Sequence, residues 1–124
     1  LTRHSAAGRA LAAELSTALG PLSPGAVILL ALASGIGEEL FFRGALQPRV
    51  GLWLASALFA LAHLLPSWPL ALWSAFAFVA GVLFGLLFEG TGNLLAPALG
   101  HVLTNAVNLR WLAKRPPGST GPGI

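Results

Sequence analysis

The sequence has no cysteine and no aspartate. Without cysteine there is no thiolate nucleophile, no disulfide framework and no cysteine-based zinc site. Without aspartate, neither an aspartyl dyad nor a Ser-His-Asp triad can be assembled from this chain. Methionine is also missing, and with leucine at position 1 the sequence reads as a fragment of a longer reading frame. Charge is scarce. Only 9% of the 124 residues are charged and 56% are hydrophobic, at a mean hydropathy of +0.79, against roughly 25% and 45–50% in an ordinary soluble domain. That balance points to a bilayer. The length suits one domain, most of it used by four hydrophobic spans of about 20 residues each.

The net charge of +3 and pI of about 11.3 would also fit a nucleic-acid module. The basic residues, however, stand at the two ends, at Arg3, Arg9, Arg110, Lys114 and Arg115. Such residues hold helix ends at lipid headgroups, whereas a nucleic-acid module carries a basic face on a soluble fold. The expected partners are therefore membrane lipid and no nucleic acid. No feature sets an oligomeric state.

The segments read as an all-α polytopic bundle of about four spans with an N-terminal interfacial helix. Residues 1–23 form that helix and a linker, because Arg3, Arg9 and Glu14 interrupt an Ala/Leu run that ends in Gly20-Pro21-Leu22-Ser23-Pro24-Gly25. Residues 24–113 form the core, with spans near 26–46, 52–65, 70–88 and 94–112. Pro48 and Gly51 mark the first turn, and Pro66 to Pro69 end a short second span. Gly81 and Gly85 make a GxxxG pattern that reads as ordinary helix packing. Residues 114–124, rich in Pro and Gly, read as a disordered tail. An even number of spans puts both ends on one side, and the basic ends place that side in the cytoplasm. The Ala, Leu and Gly bias with a single lysine suggests a bacterial plasma membrane.

Polar residues inside the spans carry the chemistry. Glu38, Glu39 and Arg43 facing lipid would together cost roughly 8–10 kcal/mol, at about 2.5–3.5 each. They must face protein, water or one another. Glu39 and Arg43 are four apart with the carboxylate first, the favourable order for a helical ion pair, so Glu38 is the carboxylate left over. Phe59 and His63 share one helical face, as do His101 and Asn105. In a compact bundle Glu38, His63, His101 and Asn105 converge on one cavity. Glu38 with His63 would deprotonate and aim a water, and His101 with Asn105 would stabilise an oxyanion. A zinc or other divalent site built from Glu38, His63 and His101 competes for the same atoms. A purely structural cluster around Arg43 is the third use. HExxH is absent, and Ser34, Ser56 and Ser74 lack the GxSxG context of a nucleophile. Asn108 extends the polar face of Asn105, and Asn93 reads as a loop or capping residue.

The segments Glu38-Glu39-Leu40-Phe41-Phe42-Arg43, Phe59-Ala60-Leu61-Ala62-His63 and His101-Val102-Leu103-Thr104-Asn105 follow one another on consecutive spans. In this they resemble the EExxxR, FxxxH and HxxxN motifs of the CPBP intramembrane proteases, the CAAX prenyl endopeptidase and bacteriocin-processing (Abi) family. The resemblance covers about residues 24–112. It implies an all-helical membrane enzyme that cleaves peptide bonds of membrane-associated proteins, prenylated CAAX proteins in the eukaryotic branch. By the same resemblance Glu38 is the catalytic glutamate, His63 positions water, and His101 and Asn105 stabilise the oxyanion. Glu39, Arg43 and Phe59 support them. Members are described both as metalloproteases and as glutamate-type proteases, and usually carry further helices before the first motif. The alternative class is a non-catalytic membrane partner, such as a bacteriocin immunity protein, using the same cavity for binding.

Overall fold

A computed structural model describes residues 6–64 and 68–115. The described residues are helical throughout, without strands: α1 (Ala6–Leu19), α2 (Pro24–Val50), α3 (Leu52–Ala62), α4 (Trp68–Thr91) and α5 (Leu95–Ala113). The expected tail from residue 116 lies outside the described residues, as do residues 1–5 and residues 65–67, where the second span is expected to end.

Helix α2 starts where Ser23 caps it: the hydroxyl accepts from the Ala26 backbone N–H at 3.2 Å and Pro24 takes the first turn. Proline fits there because its missing N–H would have no intrahelical acceptor. The helix then runs through Pro48, contrary to the expected turn at that residue. The stretch Leu40–Leu46 is a π-helix, closed by the Gln47 N–H bonding back to the Phe42 carbonyl. Pro48 falls at the first turn of the α-helical segment Gln47–Val50 that follows, so the π-to-α junction absorbs it. The chain turns at Gly51, whose φ of +83° is a conformation that glycine reaches without steric cost.

The packing places the polar residues inside and the apolar ones outside. Glu39, Arg43, Gln47, Ser56 and His101 are buried, while Leu29, Phe41, Leu83, Leu95, Leu103 and Val107 lie on the surface, each more than half exposed. A soluble protein with this much apolar surface would aggregate, whereas in a bilayer the same surface faces lipid.

Two helical stretches, Pro24–Val50 and Ala71–Thr91, are long and apolar enough to cross a membrane. Four spans are not shown. Helix α3 has 11 residues, about 16 Å of rise against a hydrocarbon core of about 30 Å. The apolar run of α5 is interrupted by His101, Asn105, Asn108 and Arg110. The polar residues that suggest chemistry thus also shorten the spans.

Helix α2 packs along α5, α3 along α4, and α4 against α5. The α2–α5 seam closes at Gly35, where a Cβ would stand 2.7 Å from Val102 Cγ2 and 2.9 Å from the Val102 backbone nitrogen. Helix α1 buries Leu11, Ala12, Ala13 and Ser16 and rests on α4 and α5, so the expected interfacial helix is docked on the bundle. Gly35→Val should push α2 from α5 and cost about 1–3 kcal/mol as an overpacked contact. Thermal unfolding in lipid should show a lowered midpoint, and an unchanged midpoint would contradict the close seam.

Candidate active site

The site is built on two faces of α2, because neighbouring residues on a helix point about 100° apart. Glu38 looks toward α3 and α5, while Glu39 is fully buried. Arg43 Nη1 donates to Glu39 Oε1 at 3.0 Å, confirming the pair expected from the four-residue spacing, and its Nη2 donates to the Gly81 carbonyl on α4 at 2.7 Å. One turn on, Gln47 Nε2 donates to the Gly85 carbonyl at 3.1 Å and to Glu89 Oε1 at 3.0 Å. The GxxxG pattern therefore does more than pack. Its two carbonyls accept the buried donors of α2, and side chains would collide there: a Cβ on Gly85 would strike Leu52, and one on Gly81 would lie 3.3 Å from Phe59.

Phe59 is the spacer at the centre. Its ring lies 4.7 Å from the Arg43 guanidinium, 4.5 Å from the His63 ring and 5.7 Å from the His101 ring. Phe59 meets His101 edge-on, and Phe84 stacks on the His101 ring at 4.9 Å. These contacts leave the imidazoles little freedom to rotate.

The hydrogen bonds also decide which imidazole nitrogen holds the proton. His63, at the C-terminal end of α3, has Nδ1 2.8 Å from the Phe59 carbonyl, and a carbonyl can only accept. His101 Nδ1 is 2.7 Å from Glu39 Oε1, the carboxylate oxygen already paired with Arg43. Both histidines therefore donate from Nδ1, and in neutral form both present the Nε2 lone pair. Both lone pairs face Glu38, with Oε2 3.6 Å from His63 Nε2 and 3.9 Å from His101 Nε2. These separations exceed a hydrogen bond, and Oε2 is buried without a hydrogen-bond partner in the protein. Three acceptors thus converge with no donor among them. Water, a proton or a cation would complete such a group.

Asn105 stands one turn from His101, and its Nδ2 donates to Ser34 Oγ at 2.8 Å. Together with Phe59, His63 and His101 it lines a space of about 20 Å³, close to the room one water needs. A larger cavity of about 240 Å³ adjoins it, lined by Glu38, His63 and Asn105 and walled by Leu15, Leu30 and Leu109. The structure thus brings together Glu38, His63, His101 and Asn105, with Glu39, Arg43 and Phe59 packed around them. Asn108 lines the larger cavity, and Asn93 caps α5 by accepting from the Leu95 and Ala96 N–H groups. Ser56 is buried with its backbone close to Gly81, and Ser74 donates to the Ala60 carbonyl.

Sequence reasoning passed over Gln47 and gave Ser34 no part in holding Asn105. The available signal was spacing, since Gln47 is four residues after Arg43 and Ser34 four before Glu38. For a divalent cation the donor types fit: two Nε2 lone pairs, each imidazole anchored through Nδ1, and one carboxylate. Among the described residues, however, no three His, Asp or Glu side chains are gathered closely enough to hold an ion as they stand.

Residues 20–107, which hold all three motif segments and the converging site, match the type II CAAX prenyl endopeptidase Rce1-like family. The chain belongs to this family. It is a membrane-embedded family of proteases, which the two long apolar helices and the polar interior fit. The chain is also 41% identical over 83 residues to an uncharacterized protein, YpbD, of Bacillus subtilis (strain 168). That match covers 65% of this chain and 42% of the Bacillus protein, so the chain spans under half the length of its relative. No solved structure matches the chain significantly.

Two outcomes follow from the geometry. Nitrogen-15 NMR of the imidazoles should report the Nδ1–H tautomer for His63 and His101, and an Nε2–H tautomer at either would contradict the bonding described. Arg43→Leu should destabilise the fold by roughly 3–5 kcal/mol, because it strands a buried carboxylate. Denaturation in detergent or bicelles measures it, and a loss under 1 kcal/mol would show Glu39 to be held by other means.

Proposed function

We propose that this chain is the catalytic core of an intramembrane endopeptidase in which Glu38 activates water. The observation that carries the reading is the division of labour between adjacent carboxylates. Glu39 binds Arg43 and His101 through Oε1 in the packed interior, its Oε2 buried without a partner, while the equally unpartnered Glu38 Oε2 faces two imidazole nitrogens at the edge of the larger cavity.

In the proposed reaction Glu38 Oε2 takes a proton from water as the oxygen attacks the scissile carbonyl carbon. His63, fixed through Nδ1, holds the water with its Nε2 lone pair. The carbonyl electron pair moves to oxygen, and the oxyanion is met by Asn105, whose second Nδ2 hydrogen remains after the bond to Ser34. His101 donates from Nε2 only when it carries both protons, and the Glu39 carboxylate is placed to hold that charge. The tetrahedral intermediate then collapses with cleavage of the C–N bond. Glu38 returns its proton to the departing amine, and the second water proton, still on the attacking oxygen, leaves a carboxylic acid and an amine that become a carboxylate and an ammonium by proton transfer. A divalent cation, if one is bound, would be held by Glu38, His63 and His101 and would polarise the water.

The cavity of about 240 Å³ beside Glu38 offers room for substrate next to the reacting group. Family membership supports peptide or protein substrates at a membrane, with prenylated CAAX-type or bacteriocin-like chains as the candidates. The basic residues beside the described ends, Arg9, Arg110 and Lys114, and the bacterial relative support a bacterial plasma membrane with both ends cytoplasmic.

Glu38→Gln preserves size and removes the base, so it should lower cleavage at least 100-fold, as expected for loss of general-base catalysis, while the fold stays intact. The assay is cleavage of prenylated and unprenylated peptides by the protein in lipid, with and without a chelator. Turnover retained by Glu38→Gln would overturn the reading, and loss of turnover in the chelator arm would assign the water to a metal.

A further inference from the structure

Ser34 lies one helical turn before Glu38, and its hydrogen-bonding capacity is fully directed. Its Oγ is 2.7 Å from the Leu30 carbonyl, and that carbonyl can only accept, so the single hydroxyl hydrogen is spent there. The oxygen of Ser34 can then only accept. Asn105 stands 2.8 Å away across the α2–α5 seam, and its Nδ2 is the part of its amide that can donate. The direction of this chain of bonds, Asn105 to Ser34 to Leu30, is imposed at its far end by a backbone carbonyl.

The consequence falls on Asn105. An amide has a donor edge and an acceptor edge that are nearly equal in shape, so packing alone does not choose between them. The bond to Ser34 does choose. It places Nδ2 at the α2 edge, with one hydrogen committed and the second left over. Asn105 borders both the water-sized space and the larger cavity, whereas Ser34 borders only the larger one. Ser34 therefore touches the asparagine and not the water-sized space.

We propose that Ser34 is a positioning residue that locks the Asn105 amide with its nitrogen toward α2 and its free N–H available to the developing oxyanion. The proposal rests on the endopeptidase reading and deepens it. With Ser34 removed, the amide can turn over and present its oxygen to the oxyanion, a repulsive contact in the transition state.

The test uses the protein in lipid nanodiscs and two readouts. In NMR the Asn105 side-chain amide resonances, assigned by their loss in Asn105→Ala, should shift in Ser34→Ala and return toward their original place in Ser34→Thr. Threonine keeps a hydroxyl able to bond the carbonyl four residues back, and the adjoining cavity has room for its methyl group. In peptide cleavage, Ser34→Ala should lower kcat about tenfold with KM little changed, an effect expected when a group is misplaced in the transition state. Ser34→Thr should recover most of that loss. In an Asn105→Ala background, Ser34→Ala should have no further effect, because the group it positions is gone.

Unmoved Asn105 resonances in Ser34→Ala would overturn the lock whether or not any peptide is cleaved. Shifted resonances with unaltered kcat, or equal losses with and without Asn105, would show a merely structural hydroxyl and overturn the positioning role. Glu38→Gln in the same assay separates the two failures, since retained turnover there defeats the endopeptidase reading and not the bond between Ser34 and Asn105.

Discussion

The arrangement depends on one buried carboxylate. Glu39 accepts from Arg43 on its own helix and from His101 on α5, and Arg43 in turn reaches a carbonyl of α4. Three helices are tied through three side chains, Glu39, Arg43 and His101. In a bilayer no water is at hand to replace a lost partner, so each of these bonds is worth keeping and costly to break. Glu39 also determines the protonation pattern of His101. By occupying Nδ1 it turns Nε2 toward Glu38, so the stabilising cluster and the reactive one meet in a single imidazole.

The division between Glu38 and Glu39 comes from helix geometry applied to identical side chains. Adjacent residues diverge by about 100°, so one carboxylate enters the packed interior and the other faces a cavity. The π-helical stretch that follows is part of the same device. Its wider turn holds more residues than an α turn, which keeps positions 39, 43 and 47 buried on one side. Arg43 and Gln47 then meet the carbonyls of Gly81 and Gly85, which their missing side chains leave open to approach. A uniform α-helix would carry these positions progressively around the axis.

The bundle has a polar interior and an apolar exterior, and the two requirements compete along each helix. Helix α3 stops at His63, whose ring then reaches the Phe59 carbonyl and turns Nε2 inward. Helix α5 gives up hydropathy to carry His101, Asn105 and Asn108. That concession is why, among the described residues, two stretches and not four meet the length and composition of a membrane crossing. Counting apolar runs gives four such stretches because it averages over polar positions, which a test of length and composition counts against a helix.

Much was legible in the sequence because scarcity makes charge informative in lipid. The all-helical class, the Glu39 and Arg43 pair, and the gathering of Glu38, His63, His101 and Asn105 follow from the cost of polar groups in hydrocarbon and from four-residue spacing. Both are properties of the linear chain. The passage of α2 through Pro48, the docking of α1, the carbonyl contacts of Arg43 and Gln47, and the bond from Asn105 to Ser34 were decided only by tertiary structure. The last two depend on which helix faces reach within hydrogen-bond distance across 38 to 71 residues of chain. Periodicity along one helix shows which side chains share a face, but the neighbour that face meets is set by close contacts such as Gly35 against Val102, between residues far apart in sequence.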